Sequence, residues 1–147
     1  MFKRILVPVD DSELSEKAIQ VSVSLARQLG AAVTGFVAEP LPPLLSGPHS
    51  RSQMQRDTLE HDALTAAHAK RILQHFAACA EAAGVPFDAY HDQAPQVSHA
   101  IIAAAESRGC DMIVMTTHGR GAFGEFLFGS ETKAVLAGCN LPLLVLR

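Results

Sequence analysis

Apolar and polar positions alternate in blocks along this chain, and the blocks change period. Lys3 to Val9 (KRILVPV) is a short apolar run ending in the acidic turn Asp10-Asp11-Ser12, which reads as a buried strand. From Glu13 to Leu29 the spacing becomes helical, with Leu14, Ala18, Val21, Leu25 and Leu29 stepping by three or four. Asp11 or Ser12 is placed to cap this helix and Gly30 to end it. A second strand is expected over Ala32–Val37. Residues 38–53 hold Pro40, Pro42, Pro43 and Pro48 among leucines, so helix is not expected there. A surface connection and a lid or dimer contact are equally open readings of that segment.

Met54 to Ala83 reads as a long helix with a stripe of Leu59, Ala66, Leu73 and Ala80, flanked by Phe76 and Ala77. His61, His68 and His75 recur every seven residues on the side away from that stripe, facing solvent. Neighbours among them lie about 10 Å apart along the axis, too far to share one metal ion. Asp57 and His61 have usable i, i+4 spacing, but no metal site is expected there. A third strand (Pro86–His91), a third helix (Val97–Ser107), a fourth strand (Asp111–Met115), a fourth helix (Ser130–Gly138) and a fifth strand (Leu141–Leu146) complete the pattern.

Strands alternating with helices predict one α/β domain over residues 1–147. It is a doubly wound, five-stranded parallel sheet of order 3-2-1-4-5 with helices on both faces. In that arrangement the strand order reverses between strands 1 and 4, and ligands bind outside their C-terminal ends. Those ends are Asp10 and the loop from Thr116 to Gly119, so the acidic turn and a glycine-rich loop share one crevice.

The loop is the candidate chemistry. Gly119, Gly121, Gly124 and Gly129 lie between a strand and a helix that begins at Ser130. Glycines let the backbone approach an anion, and a helix N-terminus favours its charge. A dinucleotide fingerprint is absent after the first strand. Gly124-x4-Gly129 resembles half a P-loop, but Ser130-Glu131 stands where Lys-Ser/Thr would be. Asp10, Asp11 and Glu13 would repel phosphate, so the first turn suits ribose or base instead.

Composition narrows the partners. A net charge of −3 argues against a nucleic-acid binder, and no apolar run approaches the roughly 20 residues that span a bilayer. The N-terminus lacks a signal-peptide pattern. Cys79, Cys110 and Cys139 are odd in number and widely spaced, as expected of reduced thiols in cytoplasm.

The opening ILVPVDDSELSEKAI, the segment GCDMIVMTTHGRGAFGEFLFGSETKAVL and the closing LPLLVLR together resemble the universal stress protein family, over essentially the whole chain. In nucleotide-binding members the signature is Gly, two residues, Gly, nine residues, Gly, then Ser or Thr. Gly119, Gly129 and Ser130 match it at full spacing, while Thr116 replaces the first glycine. The usual proline-glycine turn before the third helix is Gln93-Ala94-Pro95-Gln96 here. The resemblance implies that Pro8 and Asp10 line an adenine and ribose pocket, with Val37 packing on the base and Met115 and Thr116 flanking the sugar. It implies phosphate contacts from Gly119, Gly129, Ser130 and Glu131, with His118 and Arg120 alongside.

The expected ligand is ATP or another adenine nucleotide, with or without Mg²⁺. The expected role is that of a cytoplasmic stress sensor or regulatory module. Lacking a Walker lysine and a clear second carboxylate, it is expected to hydrolyse ATP slowly or not at all. A nucleotide-free dimerisation module is the alternative that Thr116 keeps open. Both faces of the closing strand 141–146 are apolar, and its place at a sheet edge predicts a homodimer through that edge.

Overall fold

A computed structural model describes residues 1–42, 44, 47–117 and 129–147. The elements run β1 (Arg4–Pro8), α1 (Glu13–Leu29), β2 (Ala32–Glu39), α2 (Arg51–Ala82), β3 (Phe87–Gln93), α3 (Val97–Ser107), β4 (Met112–Thr116), α4 (Ser130–Gly138) and β5 (Leu143–Leu146). The strands form one sheet of order β3-β2-β1-β4-β5, and every neighbouring pair is parallel. This is the expected doubly wound α/β architecture.

Side-chain alternation splits each central strand between two cores. Ile5, Val7, Val9, Val33, Val37 and Val114 pack with α1 and α2 on one face. Leu6, Phe36, Ile113 and Met115 pack with α3 and α4 on the other. At the N-terminal end of β1, the Asp111 carboxylate accepts from the amides of Lys3 (2.8 Å) and Arg4 (3.1 Å), tying the entries of β1 and β4 together. Burial pushes the Cys110 thiol up, and burial followed by the nearby Glu16 charge does the same for Cys79. Both thiols therefore stay protonated at neutral pH.

Several boundaries and faces differ from the expectation. Ser12 caps α1, its side chain accepting from the Ser15 amide. Gly30 closes the helix in the left-handed conformation (φ 65°), where a Cβ would be strained. The buried stripe of α1 is Ser15, Ala18, Ile19, Ser22, Val23 and Ala26, rotated from the expected line of leucines and valines. Leu14, Val21 and Leu25 are only half-buried and Leu29 is exposed. The small side chains let the helix axis approach the sheet, so size rather than hydrophobicity selects the buried face.

Helix α2 begins at Arg51, inside the stretch expected to be irregular. Ser50 and Gln53 form a capping box that outweighs the nearby prolines. Its buried positions are Ala69, Leu73, Phe76 and Ala80; Leu59, expected in the core, is 68% exposed. Residues 51–60, the first turns of the helix, are exposed among the described residues. The described part of the preceding segment, residues 40–42, 44 and 47–50, has no regular structure, and Leu44 is fully exposed. Strand β5 starts at Leu143 rather than Leu141. Pro142 has no N–H to donate, and the Leu141 amide turns to Cys139 Sγ (3.4 Å) instead.

Candidate functional site

The register of β1 against β4, Ile5 opposite Met112 and Leu6 opposite Ile113, carries both strands to the same C-terminal end of the sheet. There a cleft of about 270 Å³ opens on the α3/α4 face. Its apolar walls come from Pro8 of β1, Phe36 and Ala38 of β2, Met115 of β4, and Val97 and Ile101 of α3. Its polar lining is Asp10, Ser15, Thr116 and Glu131. Among the described residues the lining thus holds two carboxylates.

Of the residues singled out in the sequence, the structure brings Pro8, Asp10, Met115, Thr116 and Glu131 together here. Val37 does not line the cleft. It is 5% exposed and packs in the α1/α2 core, on the far side of the sheet. The period of two in β2 makes this unavoidable: the strand turns Phe36 and Ala38 to the cleft and Val37 away. The same alternation, followed from Phe36, would have found the missed wall residues in the sequence. Val97, the first residue of α3, also borders the cleft and is 39% exposed.

Gly129 is the N-cap of α4 and Ser130 its first residue, and among the described residues no side chain caps the helix amides. Thr132 Oγ1 donates to the Thr116 carbonyl (3.5 Å), holding the start of α4 beside the end of β4. His118, Gly119 and Arg120 lie outside the described residues.

Asp10 sits on a compact turn. Its Oδ1 accepts from the Ser12 amide (2.9 Å) and from Ser15 Oγ (2.6 Å), while its own amide donates to Ser15 Oγ (2.7 Å). On the other side of this turn lies a second cleft, of about 390 Å³, between the start of α1 and α2. Of the three histidines expected in solvent, His68 and His75 border it, and all three make specific contacts. His68 lies 3.6 Å from Asp11, and His75 Nε2 lies 2.7 Å from Glu16 Oε2. His61 Nε2 meets the Pro40 carbonyl at 3.1 Å. Their seven-residue repeat keeps one face of α2 turned to the acidic start of α1 and to the exit of β2. No group of three or more metal-ligating side chains converges among the described residues.

The His75 hydrogen bond, and then that of Gln20, hold the Glu16 carboxyl below the ordinary glutamate range. A depressed carboxyl contributes stability above its unfolded pKa and loses it as pH falls through the folded value. Glu16→Gln is therefore expected to melt slightly below the parent at neutral pH, by less than about 1 kcal/mol because the pair is half-exposed. The gap should close as the solution is acidified through the glutamate range. Thermal melts of both proteins across that range check the sign; a gap that widens in acid would contradict it.

A further buried carboxylate follows the cleft strand. Glu39, 6% exposed at the end of β2, pairs with His91 of β3 and accepts from Thr65 Oγ1 of α2 (3.1 Å). Gln93 Nε2 donates to Asp62 Oδ1 at 2.7 Å alongside it. Together they tie α2 to the sheet end that carries Ala38.

The universal stress protein family model matches residues 1–147. A universal stress protein of Thermus aquaticus, named for its place in the QAH/OAS sulfhydrylase 3′ region, is 31% identical over 148 residues, covering all of both chains. Among solved structures, a universal stress protein in complex with cAMP superposes with a TM-score of 0.71 at 17% identity, over 99% of this chain and 97% of that one. The universal stress protein of Archaeoglobus fulgidus in complex with dAMP gives 0.65 at 18%, over 99% and 98%. With its whole length matched by the family model and by a relative of the same size, the chain belongs to the universal stress protein family.

Proposed function

We propose that this protein binds an adenine nucleotide, ATP or a close relative, in the cleft between the ends of β1 and β4. In this reading it acts as a cytoplasmic stress-response sensor or regulatory module. The observation that carries the reading is the division of the cleft: apolar walls from Phe36, Val97, Ile101 and Met115, with Asp10 at the rim. A flat base fills the apolar part, and a ribose diol donates to the carboxylate. The start of α4, which no described side chain caps, supports phosphate binding through the amides of Gly129, Ser130 and Glu131. Gly119 is assigned the same role from the sequence spacing, with His118 and Arg120 beside it. Relatives in complex with cAMP and dAMP support the adenine class.

The carboxylates of Asp10 and Glu131 oppose bare phosphate, so Mg²⁺ is expected to strengthen binding of ATP more than of AMP. Glu131 contributes its amide. Calorimetric titration with ATP, ADP and AMP, with and without Mg²⁺, tests this. Saturable binding of at least one supports the reading, and heats of dilution alone for all three would reject it. Phosphate release from ATP is expected below about 1 s⁻¹, the low end of ordinary enzymes.

The same reading includes a homodimer through β5. The sheet's two edges differ. On β3, Asp88 is flanked by Arg108 (3.5 Å) and Arg4 (4.0 Å), and Arg108 also stacks over Tyr90, 4.1 Å from the ring centroid. Charge of this kind blunts an edge. On β5 the run Leu143–Leu146 is apolar and half-buried throughout. Sedimentation equilibrium is expected to give twice the chain mass, and Val145→Lys to return the monomer; a parent that stays monomeric at high micromolar concentration would reject the dimer.

A further inference from the structure

The Asp10 carboxylate is exposed and sits on a turn, where a side chain ordinarily samples several rotamers. Here it is held. Ser15 Oγ donates to Oδ1 at 2.6 Å and accepts from the Asp10 amide at 2.7 Å, and the Ser12 amide donates to Oδ1 at 2.9 Å. Ser15 is itself 5% exposed, fixed in the first turn of α1 by its amide bonds to Ser12. A small hydroxyl buried in that place satisfies both the backbone and the side chain of one residue, and both residues border the cleft. A cap alone would not need this, because Ser12 already caps α1.

We propose that Ser15 is a positioning residue: it orients the Asp10 carboxylate toward the sugar of the bound nucleotide and thereby sets the preference for ribose hydroxyls. The inference rests on the nucleotide reading above and deepens it. A carboxylate whose orientation is already fixed accepts from a sugar hydroxyl without first losing rotamer freedom. Removing the Ser15 hydroxyl takes away the shorter of the two hydrogen bonds on Oδ1, loosening the carboxylate's orientation, and leaves the Asp10 amide to find water. The consequence falls on ligands with hydroxyls and spares those without, because the apolar walls and the start of α4 are untouched.

The test compares ATP with 2′,3′-dideoxy-ATP, measuring Kd for each by calorimetry. A hydrogen bond to a charged group gives the parent a preference of roughly tenfold or more for ATP. Ser15→Ala is expected to bring that ratio below about threefold while leaving the dideoxy affinity nearly unchanged, with the discrimination retained in Ser15→Thr. Thermal melts establish that each variant is folded; should Ser15→Ala melt at the assay temperature, Ser15→Cys supplies the same deletion of a strong donor. In an Asp10→Ala background, adding Ser15→Ala should leave the ratio unchanged, since the two act as one unit.

An undiminished ratio in both Ser15→Ala and Ser15→Cys would overturn the proposal. So would a further fall in the ratio when Ser15→Ala is added to Asp10→Ala, because Ser15 would then act on the ligand directly. A parent that binds neither nucleotide would reject the nucleotide reading itself, and this inference with it; a parent that binds both while Ser15→Ala matches it rejects only the inference.

Discussion

Phe36→Ala is expected to lower the unfolding free energy by about 3–5 kcal/mol, the range for emptying a large aromatic site in a core. Phe36 has no exposed surface and is among the largest fully buried side chains. Its ring stacks on Tyr90 with centroids 5.5 Å apart and packs in the core beneath α3. The loss is a large fraction of the roughly 5–15 kcal/mol that holds a domain folded, and corresponds to a melting point lower by on the order of 10 °C. The residue also borders the cleft, so emptying its site beneath that wall should lower nucleotide affinity as well. Chemical denaturation read beside a nucleotide titration separates the two effects. A variant with parental stability would show that β2 does not carry the α3/α4 core as described.

Gly35→Val, one position earlier, is expected to cost about 3 kcal/mol for the opposite reason, overpacking. A Cβ at Gly35 would stand 2.8 Å from Phe87 Cζ and 2.9 Å from Phe76 Cδ1. Those two rings already pack on each other with centroids 4.9 Å apart. Phe76 is fully buried in α2, so its ring cannot withdraw without opening the α2/β3 contact. The backbone at Gly35 is ordinary strand, so the cost is one of space alone. Phe87→Ala added to Gly35→Val should recover part of the loss, because it empties the volume the new side chain needs. A Gly35→Val protein as stable as the parent would mean that the α2/β3 packing is looser than these contacts.

These adjacent residues also show what the sequence could and could not disclose. The apolar run of β2 announces a buried strand, and the alternation of strands with helices announces a parallel doubly wound sheet. Which face each β2 side chain takes was also legible in principle, because the period of two leaves only one binary choice. The resemblance sets Val37 against the base, whereas the strand's alternation turns its side chain into the α1/α2 core. Helix α1 was harder. Its leucines and valines trace a plausible apolar stripe, yet the sheet takes Ser15, Ala18, Ser22 and Ala26 because close approach needs small side chains. Only packing decides this, and a hydrophobicity pattern does not contain it.

The start of α2 was written in Ser50 and Gln53, but the surrounding prolines argue more loudly for a loop. The seven-residue histidine repeat was visible, while its partners were not, since Asp11 and Glu16 are distant in sequence and meet α2 only once the sheet is formed. The cleft is legible in the same graded way. Topology alone sends the ends of β1 and β4 to one place, which brings Pro8, Asp10, Met115 and Thr116 together. The walls from Phe36, Val97 and Ile101 come from elements that no local motif connects to that turn. The part of the signature that includes His118, Gly119 and Arg120 lies outside the described residues, and its role rests on the spacing to Gly129 and Ser130.

Whether an adenine nucleotide occupies the β1/β4 cleft of the folded protein decides the proposed function. The most direct measurement is a thermal melt of the parent and of Asp10→Ala across a titration of ATP, ADP and AMP, with Mg²⁺. A ligand at 100 times its Kd adds about 2.7 kcal/mol to the folded state, which raises the melting temperature by several degrees. A saturable rise is expected in the parent for at least one of the three, and a much weaker rise in Asp10→Ala. A flat melting temperature for the parent with all three nucleotides would contradict the proposed function.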